Sequence, residues 1–460
     1  MRPLLLLALI IHFYLLNISL SILNFSLYDS NFPIWSRGLA RSCCNVYPKD
    51  IGKRYKTKYY HIHGLYAYTE YPSLQFETGS TIDPNYIYKH EKLNDGDIVY
   101  VITSEFYVFM KLFYTLPTTA RITLVTGCED IGAPWEVFHP NRTLYTPATL
   151  QQTPFQHISI RQFLSDTRLV TWYTQNYDLL GCNQFTCSDL NISHPPDCQL
   201  LSKVVPIPIG LDLHTIAEKP VKKVTPTKSA QQQSICQQTD ELQLLSSAQP
   251  PLLSRPVLIL AQFSCAFKGN PSLVATRGEL CALLTSPPQP STQHSHTINS
   301  TRIYSITYDK PDSYITLSEA LNPTSVNPIP AISSLIWYIP PGNLKTSRKR
   351  NSRSIFWSNL KHTVYALAPS GNGIDTHRMW EILHMHTIPI ILTSTLDILY
   401  RQYPIIILND WSELYSFDTI LLHTKHLIRV FGPEPFFNST VRAKLTLRYW
   451  VELIKQGGGK

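Results

Sequence analysis

The chain has 460 residues, 43% of them hydrophobic and 11% aromatic, which is ample for a core and long for one domain, so two domains are the default expectation. Its formal charge of +8 is modest for this size, and no aromatic-interleaved basic motif accompanies it, so nucleic acid is not an expected partner. Arg2 precedes an apolar run from Pro3 that fades between Asn17 and Asn24, so residues 1–27 read as a signal anchor or a signal peptide. Sequons at Asn141, Asn191, Asn299 and Asn438 all follow it, which suits a lumenal body. There are nine cysteines. Cys182, Cys187 and Cys198 cluster in a short polar stretch and read as a disulfide-stapled loop in an oxidising lumen, because a zinc site would want a Cys-x-x-Cys pair.

The apolar run Asp97–Ile102 predicts a buried strand, followed by a helix through Leu116. A second strand, Arg121–Gly127, ends in Cys128-Glu129-Asp130, and Trp172–Asn176 and Val205–Leu211 add further strand material. Residues 28–215 thus form one α/β unit. Glu218–Pro256 is rich in Lys, Thr, Pro, Gln and Ser, so residues 216–256 read as a flexible linker or insertion. Val257–Ser264 opens the sheet of a second unit, residues 257–460. Ser286–Asn299 reads as weakly structured, and the basic run Lys345–Arg353 as a solvated loop.

The segment Tyr365–Trp411 is the most informative stretch. A strand, Thr363–Leu367, feeds a loop holding Pro369, Gly371 and Gly373, then a helix with Asp375 as its expected N-cap. The apolar runs Ile388–Leu392 and Pro404–Leu408 follow at βαβ spacing. Such units put the Gly-rich loop at the carboxyl end of a parallel sheet, where a helix N-terminus favours an anion. His377, Arg378 and Glu381 share one helix face, with Met379, Ile382 and Leu383 as the packing stripe. An arginine can bond phosphate oxygens and a carboxylate can accept from ribose hydroxyls.

This block resembles the C-terminal signature of exostosin-like glycosyltransferases. The matching features are Pro369–Gly373, His377-Arg378, Trp380-Glu381, Ile388-Pro389-Ile390 and Asp410-Trp411-Ser412. The resemblance implies an α/β, GT-B-like fold in which two Rossmann-like domains face each other across a cleft, with the nucleotide-sugar donor bound by the C-terminal one. By that analogy Arg378 holds the diphosphate and Glu381 the ribose or sugar, with Ser370, Gly371, Asn372, Gly373 and His377 completing the donor site. It further implies a metal-independent, inverting transfer to a hydroxyl of a glycan or glycoprotein. No cofactor is implied beyond the donor substrate. The general base is expected from the N-terminal domain across the cleft, where Glu129 and Asp130 are the candidates. The N-terminal segment then reads as a type II anchor in the Golgi or endoplasmic reticulum membrane, or as a leader of a secreted protein. One position departs from the family: His386 stands where relatives carry glycine, and is expected to narrow the donor pocket or shift a turn.

Other constellations give less. Asp95-Gly-Asp97 precedes a strand and reads as a turn. The pairs His61/His63, His294/His296 and His384/His386 lack supporting ligands for a metal, and neither a Gly-x-Ser-x-Gly elbow nor a phosphate loop ending in Gly-Lys-Ser/Thr is present. The alternative to a glycosyltransferase is a non-catalytic lumenal glycoprotein that keeps the fold and binds a glycan or a protein partner.

Overall fold

The computed structural model describes residues 32–35, 38–39, 93–103, 106–114, 116–127, 130–138, 158–179, 200–217, 228–265, 271–285, 305–307, 315–322, 335–339 and 353–458. The N-terminal apolar segment, Glu129, Asn141, Asn191, Asn299, the clustered cysteines and the first two His pairs lie outside them.

The first half is a sheet of β1 (Ile98–Ile102), β2 (Ile122–Gly127), β3 (Leu169–Thr174) and β4 (Val204–Pro206), in that spatial order and parallel throughout. α1 (Phe106–Phe113) packs on β1. Continuous apolar runs such as Ile-Val-Tyr-Val-Ile suit strands covered on both faces. Fully buried Trp172 stacks on Phe106 with ring centroids 5.1 Å apart, and Phe163 meets it edge-on at 5.6 Å. The Asp-Gly-Asp segment is the expected turn: Asp97 accepts the Asn94 N–H at 2.7 Å, with Gly96 at φ 81°.

Next comes α2 (Lys228–Ser247), which differs from the flexible insertion expected here. Composition alone gives this stretch little to bury, but tertiary contacts supply what it lacks. Leu242 is buried, and the amide of buried Gln238 donates to Leu213 O at 3.0 Å and accepts from Arg353.

The second half contains β5 (Leu258–Ala261), α3 (Pro271–Thr285), β6 (Ser305–Thr307), β7 (Leu335–Tyr338), α4 (Arg353–Leu360), β8 (Tyr365–Leu367), α5 (His377–His384), β9 (Ile388–Leu392), β10 (Ile406–Leu408), α6 (Phe417–Phe431) and α7 (Leu447–Gly458). Its strands form one parallel sheet in the order β10-β9-β8-β5-β7-β6. From β5 the chain runs outward to one side through β6 and β7, then returns to β8 and continues to the other side. The β5/β8 boundary is therefore a topological switch point, and its crevice opens at the carboxyl ends of the strands. A disulfide joins Cys265, just beyond β5, to Cys281 on α3.

The carboxyl edges of the two sheets face each other and touch. Asn176, past β3, accepts the Asp375 N–H at 2.8 Å, and Asp375 accepts the Ile209 N–H at 2.8 Å. Thr395, past β9, donates to Tyr177 O. The chain also crosses back: α7 packs on β2 and β3, and the Tyr173 hydroxyl donates to Leu453 O at 3.2 Å. The segment Phe32–Trp35 bridges both halves, with Ile34 N–H donating to Leu445 O and Ile34 O accepting from Leu211 N–H. Two parallel α/β sheets meeting edge to edge are the GT-B-like arrangement expected.

Candidate functional site

The loop after β8 leaves the carboxyl edge of the sheet beside the β5/β8 switch point. Its Gly371 N–H donates to Gly373 O at 3.1 Å, closing a tight turn. Gly373 is required here, since a Cβ would stand 2.7 Å from Asn176 Oδ1 and 3.0 Å from Asp130 O. The same contact brings the candidate base loop to the candidate donor loop. Asp130 itself is exposed, as is Asn372, while Ser370 is half-buried.

The helix cap differs by one residue from expectation. Thr376 is the N-cap of α5, its side chain accepting from Met379 N–H. Asp375 turns inward instead, where it accepts from Ile209 N–H, the Trp380 indole at 2.9 Å and the Tyr400 hydroxyl at 3.0 Å. Burial pushes its carboxyl up to about 6, against the pull of those donors. It is a tie between the halves, not a cap.

α5 carries His377, Arg378 and Glu381, and Glu381 is buried together with Met379, Ile382 and Leu383. His377 Nδ1 donates to Gly210 O across the halves at 2.6 Å. The Arg378 guanidinium lies 4.6 Å from the Phe356 ring centroid and donates to Gln262 O. Arg277, which no motif marks, reaches the same place from α3. It donates to Ser264 O at 2.8 Å and to Ser370 O at 2.9 Å. The two arginines thus bracket the exit of β5. Burial, and then the neighbouring Arg378 charge, bring the Arg277 pKa down to about 10. Burial likewise lowers Arg378, with Glu381 opposing it. Two guanidinium groups crowded at the carboxyl edge repel one another, and a bound anion would relieve that.

Glu381 is buried and lies 2.8 Å from Arg353 Nε. Arg353 also reaches Asp212 at 3.5 Å, and Asp212 lies 3.2 Å from His214. Burial alone would raise Asp212, but His377, His214 and Arg353 together draw it down to about 2. Arg353 closes the basic run, yet it is an ion-pair partner and not a solvated charge. Only the fold assembles this network, because its members come from three separate segments.

His386 is not at the donor loop. α5 runs back from the carboxyl edge, so its C-terminal end and His386 lie at the amino edge of the sheet. His386 has φ 48° in the left-handed region, where glycine is favoured, and stacks on Phe436 at 5.7 Å. It shifts a turn and does not narrow the crevice. Burial lowers both His384 and His386, to about 3 and about 4, so neither is charged at neutral pH.

A further carboxylate, Asp178, follows β3. Burial raises it to about 7, but its two oxygens accept the Trp135 and Glu136 N–H groups at 2.7 Å each, which makes it a backbone clamp. Asn438 caps the helix Ser439–Lys444, accepting from Thr440 and Val441 and donating to Phe431 O at 3.2 Å. Among the described residues no cluster of His, Cys, Asp and Glu could hold a metal, and no helix is long and apolar enough to cross a membrane.

No protein-family model matches the chain, and no curated protein matches it. Among solved structures it is similar to OtsA in its apo form, with 12% identity, 82% of this chain and 75% of that one covered, and a TM-score of 0.34. It is also similar to an α,α-trehalose-phosphate synthase (UDP-forming) from Burkholderia xenovorans in complex with glucose-6-phosphate, with 10% identity, 81% and 75% covered, and a TM-score of 0.35. The N-terminal domain of a Candida albicans trehalose-6-phosphate phosphatase gives 12% identity, 80% and 71% covered, and 0.34. Likenesses this distant carry no argument for this chain, whose architecture is defined by its own strand order and register.

Proposed function

We propose that this protein is a GT-B-type glycosyltransferase that moves a sugar from a nucleotide-sugar donor to a hydroxyl of a glycan or glycoprotein. One observation carries the reading: Arg277 and Arg378 converge on the exit of β5 beside the Pro369–Gly373 loop, at the switch-point crevice. Paired guanidinium groups there suit a diphosphate and would stabilise it as the leaving group. In this reading Ser370–Gly373 and His377 line the donor site, Glu381 orients Arg353 and the donor ribose, and the acceptor approaches from the Asp130 side. Either Glu129 or Asp130 would take the acceptor proton. The acceptor class, the exostosin-like subtype, the division at residues 216–256 and a lumenal, N-terminally anchored body in the Golgi or endoplasmic reticulum belong to the same proposal. The Cys265–Cys281 disulfide supports an oxidising compartment.

The rival reading, a non-catalytic lumenal glycoprotein, is favoured by Glu381 being taken up by Arg353. Calorimetry against UDP, GDP and their sugar conjugates, followed by assay of donor hydrolysis, separates the two. Binding with slow hydrolysis supports a transferase. Binding to a glycan without nucleotide affinity supports the rival.

A further inference from the structure

The disulfide and Arg277 share one piece of architecture. Arg277 and Cys281 are four residues apart on α3, hence stacked on one helix face. Their partners are likewise adjacent, for Arg277 Nε donates to Ser264 O at 2.8 Å while Cys281 is bonded to Cys265. Two tethers therefore run side by side, one turn apart, from α3 to the exit of β5. The far end of the same guanidinium holds Ser370 O at 2.9 Å, and its face lies 5.3 Å from the Phe263 centroid. Cys265 Sγ also sits 3.7 Å from the Tyr338 hydroxyl, which fixes the sulfur against the end of β7. Cys281 is buried at 8% exposure, so the covalent tether is anchored inside the packing. Tyr338 is buried as well. Arg277 is half-buried on the side that meets the crevice loop.

We infer that Cys265 and Cys281 are positioning residues for the anion site: their disulfide locks α3 in the register that aims Arg277 at the crevice, so nucleotide affinity depends on that bond. This rests on the donor-site reading above. An arginine side chain loses rotamer freedom on binding, so a pre-set helix register reduces the cost of each bond to the ligand. Reduction by a dithiol such as dithiothreitol transfers two electrons and two protons to the Sγ–Sγ bond. The products are two cysteine thiols and the cyclic oxidised dithiol.

The test is a four-way comparison on the full chain by calorimetry. The probe is UDP or GDP, whichever binds the oxidised protein, and far-UV circular dichroism reports the fold. The samples are wild type and Arg277→Ala, each oxidised and after dithiothreitol. Reduction is expected to weaken binding to wild type by about tenfold, the size of one charge-assisted bond, and to leave the already weakened Arg277→Ala protein unchanged. Because the reductant also reaches any other disulfide, the Cys265→Ser/Cys281→Ser variant is measured without it and should match reduced wild type. Equal losses in wild type and Arg277→Ala would mean a general structural effect and overturn the inference, as would unchanged affinity in reduced wild type. If oxidised wild type binds neither nucleotide, the donor-site reading fails first and takes this inference with it.

Discussion

Asn176 Oδ1 accepts the backbone N–H of Asp375 at 2.8 Å, so the exit of β3 in one half holds the approach to α5 in the other. Asn176 adopts φ 51°, a left-handed conformation that asparagine tolerates better than most residues. The carboxylate of Asp375 continues the tie through Ile209, Trp380 and Tyr400. Asp375→Asn should expose its importance. An amide can still accept from Trp380 and Tyr400, but its NH₂ would face the Ile209 N–H. A loss of about 1–3 kcal/mol is expected in urea unfolding. An unchanged midpoint would show that the tie between halves is not structural.

The same carboxyl predicts a pH dependence. Its pKa is raised from 3.8 to about 6 in the folded chain, so between those values the folded state holds the extra proton. Its contribution is therefore present at low pH and lost as pH rises through about 6. Asp212 has the opposite sign. Drawn down to about 2, it stabilises above its unfolded value and its contribution is lost as pH falls from 3.8 towards 2. In stability measured across this range, Asp375→Asn should remove the decline between 4 and 6, and Asp212→Asn the decline below 4.

Arg378→Ala should weaken nucleotide binding by roughly tenfold to a hundredfold, one charge-assisted bond or somewhat more. Arg378→Lys should recover only part, having lost the planar fork and its place over Phe356. Glu381→Gln leaves Arg353 without its closest carboxylate, so it should cost stability as well as affinity. Equal affinity in wild type and Arg378→Ala would sink the donor assignment.

Gly373→Ala would drive a methyl group into Asn176 Oδ1 and the Asp130 carbonyl. One of those neighbours is backbone and cannot swing away. The substitution should push the loop off the opposite half, and a drop in both thermal stability and nucleotide affinity is expected. A neutral outcome would mean that the loops do not meet in solution.

His386→Gly tests the position at which the chain departs from the exostosin-like pattern it resembles. Glycine adopts φ 48° freely but loses the stack on Phe436 and the contact with Phe437, at 5.7 and 5.2 Å. These effects oppose each other, so stability should change by less than about 1 kcal/mol. Nucleotide affinity should not change, because the residue lies at the amino edge. A gain in affinity would show that His386 does reach the crevice.

Most strands were legible because buried parallel strands are continuous apolar runs, as in Val99–Ile102 and Ile388–Leu392, whereas the short β6 (Ser305–Thr307) and β7 (Leu335–Tyr338) went unread. The crevice loop was legible from Pro369, Gly371 and Gly373, whose turn chemistry is local. Thr376 and Asp375 are both good caps one residue apart, and only the burial of Asp375 under Trp380 and Tyr400 separates them. Arg277 carries no local mark, since its role comes from the closeness of β5 and β8, which are far apart in sequence. The Arg353–Glu381 pair and α2 were hidden for the same reason: each is stabilised by partners brought in by tertiary packing.

The placement of α7 has a consequence for how the protein is made. Its 12 residues cover β2 and β3, with Tyr173 bonded to Leu453, yet they are translated more than 250 residues after those strands. The half synthesised first therefore emerges with an uncovered apolar face and stays that way until the second half has been made. Nascent chains stalled before residue 447 should be held by chaperones or be sensitive to protease in the 98–206 region, even though every strand of that sheet is already present.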